Sequence, residues 1–107
     1  MIEKLTEADF DQMFSLMERS FPEDERRDYN GQRELLAEPA YNLYAKRSPE
    51  DAALQAFLAL WELGDMVYIE HFAVDPDCRN GGLGGKILQK VIEDTDMRIC
   101  LEVEPPE

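Results

Sequence analysis

The sequence predicts an α/β (α+β) domain in which helices flank a mixed, mostly antiparallel sheet. Three observations carry this expectation. Residues 41–76 hold three apolar stretches of strand-like composition, separated only by short turns. An apolar stripe at helical spacing precedes them, and a helix opened by glycines follows. One further strand-like stretch comes after that helix, so the chain must cross over to rejoin the sheet.

The elements follow in order. "MIEKLT" alternates apolar and polar residues as a short strand does. Thr6 is then placed as an N-cap with Asp9 three residues on, a variant of the capping box. Phe10, Met13, Phe14, Met17 and Phe21 recur on one face of a helix expected from about Ala8 to Phe21, where Pro22 ends it. "PEDERRDYNGQ" reads as a polar connection, and "RELLAEPA" as a short second helix closed by Pro39. "YNLYAKRS", "ALQAFLALWEL" and "MVYIEHFAVDP" form an antiparallel meander with turns at "PED" and at Gly64 and Asp65. After Pro76 a helix runs to about Glu93 with Ile87, Leu88, Val91 and Ile92 as its apolar side, and "MRICLEVEPPE" supplies a last strand parallel to its neighbour.

A chain of 107 residues suits one domain with little core to spare. Its 24 acidic against 11 basic residues leave a net charge of −13, which repels phosphate backbones and anionic lipid. Nucleic acid and membrane surfaces are therefore excluded as expected partners, and a cationic small molecule or peptide suits the charge better. The acidity serves solubility equally well. "MIEKLTEADF" lacks a basic segment followed by an apolar run, and no stretch approaches the ~18 apolar residues of a membrane span, so a cytoplasmic protein is expected. Cys78 and Cys100 stand at no metal-type spacing and the single His71 completes no cluster with them. Both thiols are read as reduced and structural, and no metal is expected.

"CRNGGLGGKIL", residues 78–88, holds four of the chain's six glycines where a helix should start. Each glycine in a helix interior costs about 1 kcal/mol relative to alanine, so a compensating use is required. A helix N-terminus presents unpaired N–H groups and the positive end of the helix dipole, and omitting side chains lets an anion reach them. Arg79, Lys86 and Lys90 form a basic island there in an acidic chain. A dinucleotide fingerprint from Gly82 would need glycine or alanine where Ile87 stands, and a P-loop ending at Gly85-Lys86 would need glycine at Asn80 and Ser or Thr at Ile87. Both fail. What remains is Arg79-x-x-Gly82-x-Gly84 after a strand ending "FAVDP".

This stretch resembles the acetyl-CoA-binding motif of the GNAT superfamily of N-acetyltransferases, whose usual form is Arg or Gln, two residues, Gly, one residue, then Gly or Ala. "EHFAVDPDC" resembles that family's fourth strand and its exit, and the element order over residues 1–103 fits its amino-terminal two-thirds. The resemblance implies transfer of an acetyl group from acetyl-CoA to a primary amine of a small molecule or peptide, by direct attack. It implies that backbone N–H groups from Arg79, Asn80, Gly81, Gly82, Leu83 and Gly84 hold the pyrophosphate, with Gly85 and Lys86 along its edge. Phe72, Ala73 and Val74 would offer main-chain groups to the pantetheine arm. Gly81 departs from the pattern, because family members often carry a basic residue there.

The family commonly uses a fourth-strand glutamate as base, which in this chain is Glu70, the one acidic residue of "MVYIEHFAV". Strict alternation would place it on a face with Tyr68, Phe72 and Val74, and His71 on the other. An ion-paired or solvated strand residue is the plainer role for Glu70, and a packed or hydrogen-bonded one for His71. Glu23, Asp24 and Glu25 lie in the family's substrate-facing connection, where they either attract a cationic amine or form a solvated run. The family's thiolate acid lies past the fifth strand, and no tyrosine of this chain takes that position. By resemblance the final helix and strands are missing, which leaves the last strand's edge bare. That edge is expected to add a second copy of the chain or to leave the domain marginally stable. A CoA-binding or interaction module without turnover is the competing expectation.

Overall fold

The computed structural model describes residues 2–78, 82–95 and 98–101. Strand β1 (Ile2–Lys4) leads into helix α1 (Phe10–Ser20) and helix α2 (Tyr29–Glu34). The meander β2 (Tyr41–Arg47), β3 (Leu54–Leu63) and β4 (Met66–Val74) follows, then helix α3 (Leu83–Asp94) and strand β5 (Arg98–Leu101). The five strands lie in sequence order in one sheet; β1 to β4 are antiparallel neighbours and β5 is parallel to β4. The expected meander and crossover are both present.

The start of α1 differs in detail from expectation. Glu7–Asp9 form a turn of 3₁₀-helix, and the Asp9 carboxylate accepts from both the N–H and the hydroxyl of Thr6 (3.2 and 2.7 Å) before the α-helix begins at Phe10. The second helix starts earlier than its apolar residues suggest. Asp28 caps it by accepting from Gly31 N–H at 2.7 Å, so Tyr29–Glu34 are α-helical and Leu35–Ala37 finish as a 3₁₀ turn.

Two helices cover the two faces of the sheet. Phe10, Met13, Phe14, Leu16 and Met17 of α1 pack with Tyr41, Leu43, Ala45, Phe57, Ala59 and Ala73. On the opposite face Val91 packs with Leu58, Leu60, Val67 and Ile69, and Ile87 with Ala56 and Val74. Ile92 does not share this packing: it is 56% exposed, beyond the edge of the apolar stripe. Among the described residues no helix is long and apolar enough to cross a membrane. Cys78 and Cys100 are both free; Cys78 packs beside the Ile87 cluster, whereas Cys100 is exposed with its Sγ 3.2 Å from Met66 Sδ.

Strand β4 carries an extra residue. Ile69 lies opposite Leu60 and His71 opposite Ala59, so Glu70 has no partner in the ladder. Such a bulge moves the side chains beyond it to the opposite face. Val67 and Ile69 face α3 before the bulge, and Phe72 and Val74 do so after it, while Ala73 joins the α1 side. The expectation from strict alternation is therefore corrected. Glu70 and His71 sit consecutively on the α1 side, away from Phe72 and Val74.

Phe10 is completely buried between α1 and the sheet. Phe10→Ala is expected to cost about 3–5 kcal/mol in urea unfolding, the range for a large buried aromatic. A loss below about 1 kcal/mol would mean that α1 does not close this face.

Candidate functional site

The local chemistry of the chain places the start of α3 beside the end of β4. Pro76–Cys78 turn after the strand, and Gly82 adopts φ +75°, a left-handed conformation that side chains other than glycine rarely take. The helical ladder then begins with Lys86 N–H donating to Gly82 C=O at 3.1 Å. The N–H groups of Leu83, Gly84 and Gly85 precede that first bond and have no acceptor within the helix. A Cβ at Gly84 would stand 3.5 Å from Val74 Cγ2 and 3.8 Å from the Phe72 ring, close against the strand. One at Gly82 or Gly85 would meet no neighbouring atom of the described residues within 4 Å. These two glycines leave space open that the described residues do not fill.

That space is part of a cleft of ≈ 450 Å³ walled by Ser20 and Phe21 at the end of α1, by Phe72–Val74, and by Gly82, Gly84 and Gly85. Six of the residues singled out from the sequence thus come together in one wall-to-wall arrangement. Leu83 turns its side chain into the apolar cluster of Ala56, Val74 and Ile87, and Lys86 is exposed on the first turn. Arg79, Asn80 and Gly81 lie outside the described residues. Lys90 is paired with Asp94 at 3.3 Å along the helix. The described pairing of β5 with β4 covers Met66–Ile69, so the cleft-lining part of β4 continues past it.

Glu70 stands on the α1 side in a dense polar cluster. Arg27 grips its carboxylate with both terminal nitrogens, one contact at 3.1 Å, and the Trp61 indole donates to the same group at 3.1 Å. Burial opposes ionisation of Glu70, but the bonds from Arg27 and Trp61 outweigh it and hold the carboxyl below its ordinary value. Arg27 also lies over the Tyr41 ring at 6.0 Å, and burial pushes the Tyr41 phenol up to about 12. His71 is buried, with its Nε2 3.0 Å from the Glu25 carbonyl and its ring 4.7 Å from Phe21. Its Nδ1 lies 3.4 Å from Glu70 Oε1 without forming a hydrogen bond.

Together Arg27 and His71 tie the connection between α1 and α2 to β4. Sequence reasoning took that connection as a charged loop and did not single out Arg27, Trp61 or Ser20. A guanidinium partner for Glu70 comes from 43 residues away, and no local pattern announces it. Glu23, Asp24 and Glu25 form an exposed 3₁₀ turn in the same connection.

Comparison with known proteins bears on the family and the fold. The family model described as acetyltransferase (GNAT) family matches residues 7–104. A solved structure from Bacteroides thetaiotaomicron, described as an acetyltransferase from the GNAT family, is 30% identical and superposes with a TM-score of 0.86. The match covers 99% of this chain and 61% of that one. A ribosomal-protein-alanine N-acetyltransferase from Brucella melitensis biovar Abortus is 20% identical with a TM-score of 0.72, over 97% of this chain and 80% of its own. An aminoglycoside acetyltransferase from an uncultured soil metagenomic sample, solved with sisomicin, is 19% identical with a TM-score of 0.72, over 97% and 77%. At these identities the last two speak to the fold alone. A search of curated proteins finds no match. The family match over nearly the whole chain, together with a glycine-opened helix set against the bulged fourth strand, makes this chain a member of the GNAT family of acetyltransferases.

Proposed function

We propose that the chain transfers an acetyl group from acetyl-CoA to a primary amine of a small molecule or peptide. The observation that carries this reading is the cleft. It joins the first turn of a 12-residue helix to the exit of β4, and two of its glycines face space that the described residues leave open. Bound acetyl-CoA would supply an activated acyl group as a thioester. The N–H groups at the start of α3 suit its pyrophosphate, because they carry the positive end of the helix dipole and no Cβ stands in front of Gly82 or Gly85. The backbone of Phe72–Val74 would offer hydrogen-bonding groups to the amide-bearing arm. Arg79, Asn80 and Gly81 complete the proposed cradle by resemblance to the family motif.

For transfer, the amine nitrogen must lose a proton and bond to the acyl carbon while the C–S bond breaks and the thiolate takes up a proton. Glu70 is the proposed base. Its lowered pKa keeps it ionised at neutral pH, in the proton-accepting form, but accepting a proton from an ammonium group requires Arg27 to give way. That engagement is the one observation favouring a second reading, a CoA-binding module without turnover. Following free thiol release from acetyl-CoA across a panel of amines separates the two: the first expects release with some amine, the second CoA binding with none.

Two sets of variants test the residues. Gly85→Val puts a branched side chain into the open space at the cleft and Gly84→Val presses one against Val74 and Phe72; both are expected to weaken CoA binding by calorimetry by more than about tenfold, or 1.4 kcal/mol. Folded variants that bind CoA as the wild type does would remove the backbone cradle. Glu70→Gln is expected to lower kcat by roughly 100-fold with the KM for acetyl-CoA within about twofold, as loss of a general base does.

The same variant has a stability signature. Because the folded-state pKa of Glu70 lies below its ordinary 4.5, its contribution is present above that pH and is lost as pH falls through the folded value. Wild type should therefore unfold at a higher temperature than Glu70→Gln at pH 7, and the gap should narrow as pH falls below 4.5. A gap independent of pH would contradict the Arg27–Glu70 pairing.

A further inference from the structure

Among the described residues, Ser20 is the one member of the cleft wall whose side chain carries a polar atom; the others are aromatic, aliphatic or glycine. Its Oγ is buried and makes no hydrogen bond. Serine near a helix end ordinarily returns its hydroxyl to a carbonyl one turn back, and this one does not. A buried hydroxyl left unpaired is costly, so a ligand group that satisfies it gains affinity.

The backbone beneath Ser20 is held from both sides. Arg19 pairs with Asp75 at 3.4 Å, just beyond β4, and the Phe21 ring packs on His71 at 4.7 Å. These contacts fix the end of α1 over the exit of β4, opposite the glycines of α3. Ser20 lines the cleft, and its hydroxyl has no hydrogen bond to give up when a ligand group arrives there.

Resting on the reading of this cleft as the acetyl-CoA site, we infer that Ser20 Oγ hydrogen-bonds an amide of the arm that joins the phosphates to the thioester. The hydroxyl donates to an amide carbonyl or accepts from an amide N–H, and it does so from the α1 wall, across from the β4 backbone. Ser20 thereby reads the arm rather than the nucleotide. The phosphates are left to the start of α3.

Titration calorimetry of wild type, Ser20→Ala and Ser20→Thr with two probes tests this. The probes are CoA and adenosine 3′,5′-bisphosphate, which shares the nucleotide end but has no amide arm. Ser20→Ala should weaken CoA binding about three- to tenfold, the usual range for one hydrogen bond, and leave bisphosphate binding within about twofold. Ser20→Thr keeps the hydroxyl and should stay within about twofold for both. If Ser20→Ala binds CoA as tightly as a wild type that itself binds CoA, or loses both probes equally, the assignment to Ser20 is overturned and the acetyl-CoA reading stands. If wild type binds no CoA, that reading fails and the Ser20 assignment fails with it.

Discussion

The extra residue in β4 governs the geometry around the cleft. Because Glu70 has no partner in the ladder, the strand changes which face its alternate residues present. Phe72 and Val74 thereby reach the α3 side, where Gly84 comes close enough that its missing Cβ would touch both. Glu70 and His71 are turned together toward α1 and the connection that follows it. Without the bulge the same sequence would send His71 to the α3 face and Ala73 with it, and the apolar contact that seats the first turn of α3 would be lost.

A second constraint acts at the glycines, and each has a different cause. Gly82 is favoured by its left-handed backbone, Gly84 sits where a Cβ would just reach contact with Val74 and Phe72, and Gly85 has neither feature. Gly85 is exposed, has ordinary helical geometry and has open space before it, so the protein gains nothing internal from omitting a side chain there. A glycine that weakens the first turn of a helix without any packing reason is best accounted for by something that approaches the backbone from outside.

Much of the architecture was legible because it follows from local rules. The alternation and short turns of the meander, the apolar stripe of α1 and the crossover through α3 all appear where the sequence expects them. The misreadings have physical causes. Asp28 was an N-cap signal hidden in a charged run, which delayed the expected start of α2. Ile92 fits helical spacing by type but lies past the width of the buried stripe. The bulge could not be read, since a strand pattern of period two contains no mark of an inserted residue, and this error grouped Phe72 and Val74 with Glu70 and set His71 opposite it. The ion pair with Arg27 depends on tertiary placement of a loop and was equally out of reach. At the cleft, the glycines and Phe72–Val74 were legible through a motif, whereas Ser20 and Phe21 came from an element distant in sequence.

The central claim is that the start of α3 and the exit of β4 form one ligand-binding wall for CoA. Backbone amide resonances followed by NMR during a CoA titration test it most directly. The account predicts shifts concentrated at Gly82–Gly85, Phe72–Val74 and the end of α1. The separate cleft lined by Tyr44, Leu60, Val67 and Val91 should remain unperturbed. Shifts centred on that second cleft, or no shifts at the α3 glycines while CoA binds, would contradict it.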